Sequence, residues 1–176
     1  GTLQSRDAVS LRPEVSGRIS AIHFRDGMDV VRGKVLVELD AAIQRAELQQ
    51  ARADLALAES SHRRTEDLFR RGFVSQSARD EAGSRRAVAA AALELAEARL
   101  ARMRVLAPFE GTVGMRDISV GAFVKDGDVL VNIEDLSALT VDFRLPEVHL
   151  PRVAAGQRLE VVSDALPGTP MEARVT

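Results

Sequence analysis

Apolar and polar residues alternate in the segments SGRISAIHF and GKVLVELD, where Ile19, Val35, Val37 and Leu39 mark the apolar side. That period of two predicts short, half-buried strands. Gly17, Gly27 and Gly33 punctuate the segments and read as turn glycines, because Gly enters left-handed backbone conformations without a side-chain clash. The period changes at Ala41. From there to Phe69, and again from Ser77 to Met103, the chain is rich in Ala, Leu, Glu and Arg, with no proline between Pro13 and Pro108. Such residues lose little entropy in a helix, and the missing prolines leave its hydrogen bonds intact.

In the first helical segment Leu48, Ala51, Leu55, Ala58, His62, Thr65 and Phe69 follow alternating three- and four-residue steps; in the second, Ala82, Ala89, Leu93, Ala96, Leu100 and Met103 do so, with Arg86 a polar interruption. Each set is the seam of a coiled coil. Glu59 with Arg63, Glu66 with Arg70 and Glu81 with Arg85 are expected to pair along the solvent faces at i, i+4 spacing, for a few tenths of a kcal/mol each. Between the segments, RRGFVSQS supplies Gly72 as a terminator and Ser75 as an N-cap, which places the turn at 71–76. Each arm is then a rod about 40–45 Å long.

The strand pattern returns after Pro108. One constant shift along the chain aligns Gly17 with Gly111, Ile19 with Val113, Gly27 with Gly121, Gly33 with Gly127, and Val35, Leu36 and Val37 with Val129, Leu130 and Val131. Glycines kept at their spacing within the same apolar alternation make this an internal repeat, and Gly111, Gly121 and Gly127 are read as turn glycines like their counterparts. Neither copy has enough apolar surface to fold alone, so residues 13–40 and 107–135 are expected to form one β module in two halves. Residues 41–104 are then a helical hairpin inserted between them. Val141, Phe143 and Leu145 alternate before Pro146, and Leu159 with Val161 after Gly156; residues 136–176, joined by 1–12, are expected to belong to a further, incomplete β domain.

In this order PEVSGRI, the hairpin, LAPFEGTV and GAFVKDGDVLVNIED resemble the periplasmic adaptor, or membrane fusion (HlyD-like), family of bacterial tripartite efflux systems, in its RND-pump-associated branch. The resemblance covers essentially the whole chain. It implies a lipoyl-like split β sandwich, a coiled-coil hairpin and part of a β-barrel. It also implies a non-enzymatic adaptor in the periplasm, anchored to the inner membrane by an element outside this stretch. The implied partners are an inner-membrane efflux transporter, a TolC-type outer-membrane channel and further copies of the chain, as a ring of six or a trimer of dimers. In RTEDLFRRGFVS, Arg64, Leu68 and Ser75 match the family's channel-contact motif position by position. An exposed Arg donates to carboxylates or carbonyls, Leu fits an apolar groove and Ser bonds locally. Leu68 buried in the hairpin and Ser75 acting only as a cap are the simpler readings of the same residues.

Composition narrows the rest. A net charge of -2 lacks the basic excess of a nucleic-acid binder. The 176 residues contain six Phe, no Trp, no Tyr and no Cys, which disfavours a large aromatic core and excludes disulfides and thiolate chemistry. His23, His62 and His149 are scattered, and Met28, Met103, Met115 and Met171 form no closely spaced soft-metal set, so packing is the simpler role and no metal is expected. Asp26, Asp29 and Asp128 read as turn residues, and no catalytic pair or nucleotide loop is present. Lys34 and Lys125 stand before strands rather than where a carrier domain presents a modified lysine, so no cofactor is expected. The arginines around the turn, Arg63, Arg64, Arg70, Arg71 and Arg79, suit either a solvated face or docking to an acidic rim. The chain opens at GTLQS and stops at EARVT, in mid-pattern, as expected of a trimmed piece. A coiled-coil scaffold without a transport partner and a non-catalytic carrier component of an enzyme complex remain the alternative functions.

Overall fold

The computed structural model describes residues 2–148, 153–162 and 171–175. In chain order the elements are β1 (Thr2–Ser5), β2 (Ala8–Leu11), β3 (Gly17–Ile22), β4 (Asp29–Val30), β5 (Val35–Leu39), α1 (Ala42–Arg70), α2 (Gln76–Ala101), β6 (Arg104–Leu106), β7 (Gly111–Val113), β8 (Phe123–Val124), β9 (Val131–Glu134), β10 (Leu139–Asp142), β11 (Arg158–Val161) and β12 (Met171–Arg174). They fall into two units, Ser5–Ala138 and Gly1–Gln4 with Leu139–Thr176. In the latter, β1 pairs with β10, and β11 with β12 in antiparallel register.

The larger unit contains two four-stranded sheets, β2-β9-β7-β4 and β6-β5-β3-β8, whose inward residues share one core. Ile19, Leu36, Val37 and Leu39 from one sheet and Val113, Leu130, Val131 and Ile133 from the second repeat are its fully buried members. Each stabilises the fold by roughly 1.5–3 kcal/mol relative to exposure. The repeats do not form one sheet apiece. The short β4 of the first repeat pairs with β7 of the second, Val30 opposite Gly111. Reciprocally, β8 of the second pairs with β3 of the first, Val124 opposite Gly17.

The loop hydrogen bonds repeat this exchange. Gly27 N–H donates to the Val113 carbonyl at 2.9 Å while Gly121 N–H donates to that of Ile19 at 2.8 Å. Gly33 N–H donates to the Ala107 carbonyl at 2.8 Å and Gly127 N–H to that of Pro13 at 3.2 Å.

The repeat also extends further than its glycines suggest. Leu11 lies opposite Val131 in the β2–β9 pair as Val105 lies opposite Val37 in the β5–β6 pair, so β2 and β6 are counterparts that flank the two sheets. This corrects the assignment of all of residues 1–12 to the terminal unit: residues from Ser5 onward belong with the sandwich, because β2 satisfies one edge of β9. The second half likewise begins at Arg104 with β6 rather than at 107. Strict alternation also fails at Leu36, which is buried beside Val37. A register shift between Val35 and Val37 against β6 marks the irregularity that turns both inward.

Four of the six repeat glycines turn the chain. Gly27, Gly33, Gly121 and Gly127 have φ of 74°, 82°, 91° and 83°, values that a side chain disfavours. Gly17 and Gly111, also read as turn glycines, instead open β3 and β7 without a positive φ. What Gly111 supplies is room: a Cβ there would stand 2.6 Å from the Glu134 carbonyl oxygen, whereas one on Gly17 would stand 3.4 Å from the Leu39 side chain.

α1 and α2 run antiparallel. Glu47–Arg99 (3.7 Å), Arg52–Glu97 (3.6 Å), Glu59–Arg86 (3.7 Å) and Glu66–Arg79 (2.8 Å) link them in opposite chain order. Two of the three ion pairs expected along single helices are thus replaced, since Glu59 and Glu66 reach across the hairpin and Arg70 pairs with Asp67; only Glu81–Arg85 forms as expected, at 2.6 Å. The expected seam is the least exposed side of each helix, with Leu48, Ala51 and Ala96 buried and Ala58, His62, Thr65, Phe69 and Ala82 half-buried nearer the turn. Met103 is not a seam residue. It lies past the end of α2 in the sandwich core, where its carbonyl accepts from Leu39 N–H at 2.8 Å and closes the hairpin root.

The two equivalent glycines should respond unequally to alanine. Gly111→Ala must displace backbone, with an expected loss of roughly 1–3 kcal/mol, whereas Gly17→Ala meets a side chain that can yield and is expected to lose less than about 1 kcal/mol. Urea unfolding followed by circular dichroism measures both; equal losses would contradict the close-approach role of Gly111.

Candidate docking site at the hairpin tip

The tip is two helix ends and the turn between them. α1 ends in a closed C-terminal motif: Gly72, at φ 77°, donates its N–H to the Phe69 carbonyl at 2.9 Å, and Phe73 N–H donates to the Leu68 carbonyl at 2.9 Å. These two bonds satisfy carbonyls that the end of a helix leaves open. α2 starts one turn later at Gln76, with Ser75 in extended conformation accepting from Ala78 N–H at 3.2 Å. The expected cap is therefore present, and it fixes the Ser75 hydroxyl at the surface.

Arg64 and Leu68 project from the last turns of α1, and both are exposed, Leu68 by 37%. The hairpin covers this leucine only in part. Arg64 lines an open groove of about 630 Å³ along the hairpin, together with Leu57, Ala58, Thr65, Ala78 and Ala82. The most exposed large apolar side chain at the tip is Phe73, at 74%. A single aromatic in a turn has no period to mark it in the sequence.

The tip arginines divide into two sets. Arg79 donates to Glu66 at 2.8 Å with its guanidinium 5.2 Å from the centre of the Phe69 ring, a cation–π and ion-pair clasp joining the two helices. Arg70 pairs with Asp67. Arg63, Arg64 and Arg71 have no ion-pair partner among the described residues.

The other candidate positions have structural surroundings. Asp26 faces Arg116 at 3.8 Å, Asp29 accepts from the Thr112 hydroxyl at 2.7 Å, and Asp128 accepts from Lys125 N–H at 2.8 Å. His23 stands 3.8 Å from Glu38, which also meets Arg104 at 3.3 Å; His62 lies beside Gly83 in the hairpin. His149 lies outside the described residues. Among the described residues no group of His, Asp and Glu is arranged to hold a metal ion, and no helix is long and apolar enough to cross a membrane. Asp135, just after β9, accepts from Ser137 N–H at 2.9 Å, and hydrogen bonds from the side chain and backbone of Ser137 lower its pKa from the ordinary carboxylate value.

Comparison with known proteins gives this geometry a family. Residues 7–136 match the RND MFP, barrel-sandwich hybrid domain. A Haemophilus influenzae protein is 33% identical over 176 residues, covering 100% of this chain and 46% of its own length. The antibiotic efflux pump periplasmic linker protein ArpA of Pseudomonas putida is 32% identical over 144 residues, covering 81% of this chain and 39% of its own. The chain thus spans less than half the length of these relatives. A crystal structure of a MacA–MexA chimera containing the Pseudomonas aeruginosa MexA α-hairpin domain superposes with a TM-score of 0.87 at 27% identity, over 98% of this chain and 63% of that one. Spr0693, a membrane fusion protein of Streptococcus pneumoniae R6, shares the fold with a TM-score of 0.79 at 24% identity, over 99% of this chain and 79% of that one. With two interleaved β repeats, a helical hairpin between them and a match across both, the chain belongs to the RND membrane fusion protein family.

Proposed function

We propose that this chain is the central part of a periplasmic adaptor that links an inner-membrane efflux transporter to a TolC-type outer-membrane channel. The observation that carries this reading is the tip: a partly exposed leucine and arginines without an ion-pair partner among the described residues, at the far end of a hairpin whose root is bonded into a sandwich. α1 has 29 residues, so at 1.5 Å per residue it sets the tip about 43 Å from the sandwich. In this reading the sandwich is the lipoyl-like module and the hairpin, over about residues 41–104, is the coiled coil. The strands from Leu139 onward belong to a β-barrel domain.

The adaptor is not an enzyme. It works as a homo-oligomer, a ring of six or a trimer of dimers, held at the inner membrane by a further element of the full-length protein. Copies side by side seal a conduit, and the pump supplies the energy. Arg64 contributes a forked donor for carboxylates or carbonyls, Leu68 an apolar contact and Ser75 a hydroxyl. The Pseudomonas putida relative, named as an efflux pump linker, supports this reading.

Leu68→Asp in the full-length protein is expected to leave folding and membrane association intact, because the side chain is exposed, yet to abolish channel association and efflux support by placing a charge in an apolar contact. Co-purification with the channel and drug-susceptibility assays check this; retained association and efflux would remove the tip from the docking site.

Ser75 needs two variants, since its hydroxyl already caps α2. Ser75→Ala is expected to lose about 1 kcal/mol of stability with the cap. Ser75→Asn keeps a capping oxygen and stability but changes the group offered to the channel. Thermal melting together with channel co-purification separates the roles: wild-type association by Ser75→Asn would confine Ser75 to capping.

A further inference from the structure

The chain has six Phe and neither Trp nor Tyr, and it places one of those phenylalanines at the apex of the hairpin. Phe24 is buried, Phe69 and Phe109 are half-buried, and Phe143 and Phe123 are 41% and 63% exposed; Phe73, at 74%, is the most exposed of the six and the one at the hairpin apex. Its backbone is nevertheless held. Its own N–H and that of Gly72 bond back to the end of α1, and Ser75, two residues later, caps α2. A large apolar side chain on a fixed backbone loses little further freedom when it is enclosed, which favours it as an anchor.

Charge surrounds this anchor unevenly. Arg70 and Arg79 are occupied by Asp67 and Glu66, so among the described residues Arg63, Arg64 and Arg71 are the tip cations without a carboxylate. Leu68 belongs to the same closed turn, since its carbonyl receives the Phe73 N–H. The tip thus carries one exposed aromatic and one exposed leucine, flanked in sequence by arginines without an ion-pair partner among the described residues.

Resting on the tip-docking reading above, we propose that Phe73 is the central anchor of the contact and that its partner is a protein surface with an apolar pocket of phenyl size rimmed by carboxylates. Arg63, Arg64 and Arg71 steer approach to that rim, while Arg79 is a positioning residue that holds the two helix ends in register. An anionic membrane surface suits the same cations less well. Phe73 and Leu68 are the exposed large apolar side chains of this turn, a small area for insertion into lipid, and Glu66 and Asp67 would be brought against like charge.

The test uses full-length protein and its outer-membrane channel. Phe73→Ala is expected to weaken channel binding at least about tenfold, in the range of an interface hot spot, with an unchanged melting temperature because the side chain is exposed. Phe73→Tyr is expected to retain most of the affinity. Arg71→Gln is expected to slow association and lessen its dependence on salt, since steering by exposed charge is screened.

Wild-type affinity in Phe73→Ala, with loss in Leu68→Asp, would overturn the anchor while leaving tip docking in place; wild-type affinity in both would overturn the docking reading as well. If Phe73→Ala lost affinity only for vesicles of anionic phospholipid and none for the channel, the pocketed protein partner would be wrong.

Discussion

Each repeat of this sandwich lacks a strand that the other repeat supplies. β4 is hydrogen-bonded to β7 and β8 to β3, so neither sheet contains a complete repeat and neither repeat buries its apolar face alone. Everything else rests on that exchange. The hairpin leaves after Leu39 and returns at Met103, residues joined by one backbone hydrogen bond of 2.8 Å, because the two repeats that it separates must interleave. The position of the tip follows from a root fixed in this way.

Along the hairpin, packing thins toward the tip while polar contacts continue. Leu48, Ala51 and Ala96 are buried near the root, but alanine carries little apolar area, and farther out the seam holds His62, Gly83 and half-buried Thr65. The cross-helix ion pairs, by contrast, run the whole length, from Glu47–Arg99 beside that packing to the clasp of Arg79 on Glu66 and Phe69. Exposed ion pairs contribute little singly, but Arg52–Glu97 is reversed relative to Glu47–Arg99, Glu59–Arg86 and Glu66–Arg79, which disfavours slips that would bring Arg52 opposite another arginine. Register rather than bulk stability is what a presenting tip requires.

The sequence displayed the parts that depend on period or on irreplaceable glycine. The helical seam was visible because three- and four-residue spacing survives the polar interruption at Arg86, and the repeat because Gly27, Gly33, Gly121 and Gly127 occupy positive φ. Gly111 stood out equally but for a different cause, the proximity of the Glu134 carbonyl, which no local pattern reveals. Nothing in the sequence marks β2 and β6 as sandwich strands, because each is an edge strand of three or four residues with one buried side chain, Leu11 or Val105, too little for alternation. The bulge at Leu36 and the partners of Glu59 and Glu66 were also hidden, since both are set by the alignment of one element against another. At the tip, the Ser75 cap was legible from its chemistry; the exposure of Leu68 and Phe73 was not, because exposure is a tertiary property.

The exchange of strands has a consequence for the order in which the protein is made. β3, β4 and β5 leave the ribosome before α1, α2 and the second repeat, and must wait for β7, β8 and β9 with their edges unpaired. Closure of the hairpin is a local event, whereas sandwich formation joins residues distant in the chain, and local contacts form sooner. The helices therefore serve the nascent chain as a tether that raises the effective concentration of one repeat near the other. Until they close, the first repeat is the segment most open to pairing with another chain.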